Sequence, residues 1–152
     1  MNLAASVTGD TKVAVITGST VPTAFPESSD IIGDTPQTVS PTSSSFTFVI
    51  ETNQSVTDVT IQANPLVMDG NYIVYQVTTT ETEVSKATSA SGDAVSLLSD
   101  SSSSGGRRIV GASFSVQAVD LSYRSESDTV FGYNVAPAGT YLGSVTISYT
   151  AS

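Results

Sequence analysis

Residues 137–152 read Pro-Ala-Gly-Thr-Tyr-Leu-Gly-Ser-Val-Thr-Ile-Ser-Tyr-Thr-Ala-Ser. Pro137, Ala138 and Gly139 supply turn chemistry. Beyond them Tyr141, Gly143, Val145, Ile147 and Tyr149 share one face of an extended chain, and Leu142, Ser144, Thr146, Ser148 and Thr150 share the other. Alternation with period two over this length predicts a β-strand with one buried face, running to the end of the sequence.

The same grammar recurs upstream. Gly, Pro, Asn, Asp and Ser punctuate the chain at short intervals, with runs rich in Val, Ile, Thr, Tyr and Phe between them, the rhythm of a β-sandwich or barrel. Strands are expected over residues 12–16, 46–51, 56–63, 72–79 and 109–118, with a short first strand at 3–7. The 72–79 strand is open to extension through Val84. Residues 94–98 (Ala-Val-Ser-Leu-Leu) fit a short strand or one helical turn. A phase slip that keeps Leu121 and Tyr123 inward suggests a bulge near Val119-Asp120. Residues 130–135 and 140–150 read as a closing hairpin. Pro22, Pro26, Pro36 and Pro41 make residues 18–45 a long irregular connection, expected to lie across the sandwich with Phe25, Ile31 and Ile32 tucked in. The Ser/Gly tract at 99–106 reads as a flexible loop. The expectation is one all-β domain over residues 1–152, an immunoglobulin-like antiparallel sandwich.

Composition removes several functional classes. The chain of 152 residues is long enough to bury a core. It contains no cysteine and no histidine, so disulfides, thiolate nucleophiles, imidazole bases and the commonest transition-metal ligand are all missing. Fourteen acidic against five basic residues give a net charge of −9, which repels phosphate backbones and argues against nucleic acid as a partner. No stretch is apolar enough to span a membrane as a helix. Ser and Thr make up nearly a third of the chain, as on hydroxyl-rich extracellular β-proteins. Met1-Asn2-Leu3 has neither the basic nor the apolar region of a signal peptide. Either the chain stays inside the cell or Met1 is a start added to a mature fragment, and the composition favours the second.

No catalytic constellation emerges. A serine nucleophile lacks a histidine base, and Lys12 and Lys86 sit in settings that would not depress a lysine pKa. Glu51, Asp58, Asp69 and Asp120 are scattered, and nothing singles out a glycosidase pair. No enzyme activity is expected. For metals only hard oxygen ligands remain, which leaves calcium. Asp30 with Asp34, Glu126 with Asp128 and Glu81 with Glu83 are the candidate pairs, none with EF-hand spacing, so no cofactor is expected. Gly105-Gly106-Arg107-Arg108 lacks the lysine and the context of a phosphate loop and reads as a solvated loop end. Asn53-Gln54-Ser55 is a formal glycosylation sequon. Tyr72, Tyr75, Tyr123, Tyr133, Tyr141 and Tyr149 all fall on expected strands; a tyrosine face that binds sugar is possible in principle, and core packing with the hydroxyl at the rim is the commoner arrangement.

The closing segment 138–149 resembles the last strand of secreted pilus subunits, namely spore coat protein U-like domains and chaperone-usher fimbrial subunits. Leu3-Ala4-Ala5-Ser6-Val7-Thr8-Gly9 resembles the alternating N-terminal extension that such subunits donate to a neighbour. The resemblance covers the two ends, and the disulfide cysteines of many members are absent. It implies polymerisation by strand addition, in which Leu3, Ala5 and Val7 plug a groove lined by Tyr141, Val145, Ile147 and Tyr149. The partners would be copies of the chain or homologous subunits, at the cell surface or outside the cell. Deleting residues 1–8 is then expected to abolish polymerisation. Two other classes fit the same composition: a phage or virus structural protein (a head decoration or tail component), and a carbohydrate-binding or adhesin module.

Overall fold

The computed structural model describes residues 1–80, 84–87, 90–98, 106–118, 122–124, 130–132 and 136–152. The described chain is all-β, with twelve strands and no helix. In order they are β1 (Thr11–Thr17), β2 (Ser44–Thr52), β3 (Val56–Ala63), β4 (Leu66–Met68), β5 (Asn71–Ile73), β6 (Tyr75–Thr79), β7 (Val84–Ala87), β8 (Val95–Leu98), β9 (Arg108–Gln117), β10 (Ser122–Arg124), β11 (Val130–Gly132) and β12 (Val145–Ala151). They form three antiparallel sheets in a sandwich-like arrangement, ordered β1-β2-β9-β6-β7, β11-β10-β5-β4 and β12-β3-β8.

The core lies between the first and third sheets. Alternation turns Phe46, Phe48 and Ile50 of β2, Ala112, Phe114 and Val116 of β9, and Tyr75 and Val77 of β6 toward Val56, Val59, Ile61 and Ala63 of β3 and Leu97 of β8. Fully burying side chains of this size is worth about 1.5–3 kcal/mol each, so this layer dominates stability. Val56 and Val59 are both buried although three residues apart. A bulge explains it: Ser148 and Thr150 of β12 face Thr60 and Thr57 of β3. Three steps on β3 thus match two on β12. Asp58, at φ 55, absorbs the extra residue, a backbone region that aspartate tolerates.

The outer face of the five-stranded sheet is covered in part by the segment after β1. Thr47 and Val49 point away from the core yet are fully buried. The Thr47 hydroxyl donates to the Gly18 carbonyl at 2.8 Å, and that of Ser113 donates to Ser19 at 2.9 Å. No strand forms between Thr17 and Ser44, as the prolines require, and Phe25, Ile31 and Ile32 are half-buried.

Several expectations need correction. Residues 3–7 form no strand; residues 1–10 are irregular and exposed. The run 72–79 is two strands in two sheets, divided at Val74. It does not continue through Val84, because β7 folds back antiparallel on β6. Of the two alternatives for residues 94–98 the strand is the one found, over Val95–Leu98. Among the described residues the two arms of the expected closing hairpin do not pair with each other: β11 pairs with β10, while β12 pairs with β3. The final strand starts only at Val145, so Tyr141 and Gly143 precede it; Leu142 makes an isolated bridge to Val67. Asp69 and Gly70 both have positive φ and close a two-residue hairpin between β4 and β5. The suggested bulge at 119–120, the inward placement of Leu121 and most of the Ser/Gly tract lie outside the described residues.

Candidate functional site

Two features stand out at the edges of this sandwich: an arm and a cleft. The arm is residues 1–7. All are exposed, Leu3 and Val7 at 85% and 87%, and none forms a strand or a hydrogen bond. Leu3, Ala5 and Val7 alternate with polar or small residues, so an extended arm would present them along one side. Surface aliphatics aligned in this way mark an interaction surface more often than isolated ones do.

The cleft has a volume of about 550 Å³. Its floor and walls come from Val15 of β1, Phe46 of β2, Phe114 and Val116 of β9, Tyr75 of β6, Leu66 of β4, and Tyr141, Val145 and Ile147 at the start of the closing segment. Residues 32–39 form a further wall. That wall is held by the Ile32 amide, which donates to the Val15 carbonyl at 2.8 Å, and by Ile32 and Val39 packing on the core. Beside the cleft, β12 is an edge strand that pairs only with β3 among the described residues, and β1 is the edge of the other sheet. An unpaired edge next to an apolar groove can accept an extended segment through main-chain hydrogen bonds, with alternate side chains entering the groove.

Register places arm and cleft at opposite ends. Thr11 pairs with Thr52, and Thr52 pairs with Arg108, so the arm leaves at that end of the five-stranded sheet. Ala151 pairs with Val56 just beyond the same turn. The cleft residues Phe46, Val116 and Val145 lie at the other end. The separation is the six residues from Thr52 to Phe46, about 20 Å of strand.

Of the residues singled out in the sequence, Tyr141, Val145 and Ile147 line the cleft. Tyr149 does not; it is 37% exposed, and its ring centroid lies 6.3 Å from that of Phe48. Leu3, Ala5 and Val7 are exposed and lie outside the core cluster. Tyr75 is a core residue whose hydroxyl reaches the carbonyls of Asn64 and Ser144. Tyr72 and Tyr141 are half-buried, and the Tyr141 hydroxyl donates to Pro137 at 2.8 Å. The side chains of Tyr123 and Tyr133 lie outside the described residues, as do Glu81, Glu83, Glu126 and Asp128. Asp30 and Asp34 are exposed, and no group of three or more potential metal ligands occurs among the described residues. Lys12 is exposed, with its ammonium 5.9 Å from the centre of the Phe25 ring. The sequence reading missed the 32–39 wall and the contacts of Asn53 and Arg107 at the arm's root, because neither segment carries a periodic signal.

The chain matches no protein-family model, no curated protein and no solved structure.

Proposed function

We propose that this chain is a structural subunit of an extracellular fibre, pilus or surface assembly. In this reading it is an immunoglobulin-like sandwich, and residues 1–7 of one copy add as a strand beside β12 of another. The observation that carries it is the pairing of an uncovered alternating apolar arm with an apolar cleft beside an unpaired strand edge. Lengths agree: seven arm residues extend about 23 Å, the span of the seven-residue β12. Leu3, Ala5 and Val7 would face Val145 and Ile147 and the aromatic floor behind them. Burying Leu3 and Val7 contributes about 1.5–3 kcal/mol each, and hydrogen bonds along β12 help offset the entropy of ordering the arm. A contact between opposite ends of the molecule is head-to-tail, and when it does not close on itself it grows a filament. The hydroxyl-rich composition supports the placement outside the cell.

The test is a labelled peptide of residues 1–7 titrated into the chain that lacks them. Saturable binding of one peptide per chain, lost on Ile147→Asp, is the expected outcome. Absence of binding at any concentration refutes strand addition.

A further inference from the structure

The root of the arm is held far more tightly than the arm itself. Asn53, in the turn after β2, grips the chain on both sides of Gly9: its Oδ1 accepts the Asp10 amide at 2.8 Å, and its Nδ2 donates to the Thr8 carbonyl at 3.0 Å. The Asn53 amide also donates to the Asp10 carbonyl at 3.3 Å. Arg107, which precedes β9, ties the same point to the sheet, with Nη2 3.1 Å from Asp10 Oδ2 and Nη1 3.1 Å from Glu51 Oε1. The Thr11 hydroxyl lies 2.6 Å from that of Thr52 and donates to Gln54 Oε1 at 2.7 Å. Hydrogen bonds and an ion pair thus hold the chain from Thr8 to Thr11, and none holds the residues before Thr8.

This arrangement bears on a choice that the arm faces. Folded back along β1, it is long enough to reach the cleft of its own chain. Doing so requires a reversal at Gly9-Asp10, and the tight turns that reverse a hairpin need positive φ at one or both central residues. Positive φ occurs at Gly18, Asp58, Asp69, Gly70 and Gly139 among the described residues, and not at Gly9 or Asp10. Asn53 holds Thr8 and Asp10 in the non-reversing path, and Arg107 pins the Asp10 side chain.

We propose that Asn53 and Arg107 form a latch that keeps the arm from closing on its own cleft and so reserves it for a second copy. They are positioning residues, and the proposal rests on the strand-addition reading. The two exposed ion pairs contribute little individually. The bidentate grip of Asn53 on the backbone is the stronger element.

The test compares three full-length proteins by sedimentation and by limited proteolysis of the arm: the natural chain, Asn53→Ala/Arg107→Ala, and Gly9→Asn/Asp10→Gly. The last installs an Asn-Gly turn that favours reversal. Loss of the two Asn53 side-chain hydrogen bonds is expected to raise the concentration needed for assembly about tenfold or more. The turn variant is expected to be monomeric with its arm protected from protease. A chain without residues 1–7 that also carries Asn53→Ala should bind the 1–7 peptide as well as its unsubstituted counterpart, because the latch is not part of the cleft; weaker binding would instead assign these residues a structural role and overturn the latch. Assembly of the full-length variants at the natural concentration also overturns the latch while leaving strand addition intact. If the natural chain stays monomeric with a protease-sensitive arm, and the peptide fails to bind, strand addition itself is wrong and the latch falls with it.

Discussion

The phenolic hydroxyl of Tyr75 donates to the carbonyl oxygen of Ser144 at 3.0 Å, and it also reaches the carbonyl of Asn64. Tyr75 belongs to β6 in the five-stranded sheet, whereas Ser144 leads into β12 in the three-stranded one. A single buried side chain thus ties the two layers together at the cleft, and it fixes where the closing strand begins relative to the aromatic floor.

Replacing Tyr75 with Phe keeps the ring and removes the tie. Two carbonyls lose their phenolic partner; the Ser144 carbonyl keeps the Asn64 amide at 2.8 Å, so the change removes the net worth of a hydrogen bond, about 0.5–1.5 kcal/mol. Urea unfolding of Tyr75→Phe should show a loss in that range with an unchanged m-value. A loss well below it would mean that water replaces the hydroxyl at both carbonyls.

Alkaline pH should act through the same group. Burial pushes the Tyr75 phenol up to about 12 from an ordinary 10.0. Below pH 10 both folded and unfolded chains keep the proton, and its contribution is fully present. Between 10 and 12 the unfolded chain gives up the proton while the folded chain retains it, so stability falls as pH rises through that window. The melting temperature followed from about pH 9 to about pH 11 should drop more steeply for the natural chain than for Tyr75→Phe, since other titrating groups cancel in the comparison.

Leu3→Asp separates assembly from stability. Leu3 is 85% exposed, and surface changes of this kind stay within about 0.5 kcal/mol. The substitution should leave thermal unfolding of the isolated subunit unchanged and prevent its self-association, checked by calorimetry and by sedimentation. A variant that assembles like the natural chain would remove Leu3 from the interface.

Much of the sandwich is legible in the sequence because period-two alternation reports a buried face directly. The cores of β1, β2, β3, β9 and β12 fall where it predicts. What alternation does not report is the partner. Tyr72 to Thr79 looks like one strand because a chain that passes from one sheet to another stays extended. Ile73, Val74 and Tyr75 at the crossing are all buried, as are the consecutive residues of β2, which stays in one sheet, so burial does not mark the change. The hairpin expected at 130–150 fails for the same reason: strand signals adjacent in sequence pair with strands far away. Of the site, Val145 and Ile147 were readable as an apolar face. The 32–39 wall and the latch were not, since they arise from backbone contacts between distant segments.

Gly143 marks the boundary that the sequence misplaced. A Cβ built there would lie 2.3 Å from the Pro65 carbonyl oxygen and 2.8 Å from its carbon, both backbone atoms that cannot move aside cheaply. β12 begins at Val145 and not at Tyr141 because its partner β3 ends at Ala63, where Asn64-Pro65 breaks the ladder. Given the close approach at Gly143, Gly143→Ala should lower stability by about 1–3 kcal/mol, the usual cost of overpacking. Gly33→Ala meets nothing within 4 Å and should be near neutral. Urea unfolding of the two variants side by side checks the contrast.

The most direct test of the account is the molar mass, by light scattering on a sizing column, of the full chain beside the chain lacking residues 1–7. Strand addition predicts a series of multiples of 15.6 kDa for the full chain and a single-chain mass for the shortened one. Equal masses for the two, whether both single or both multiple, would contradict it.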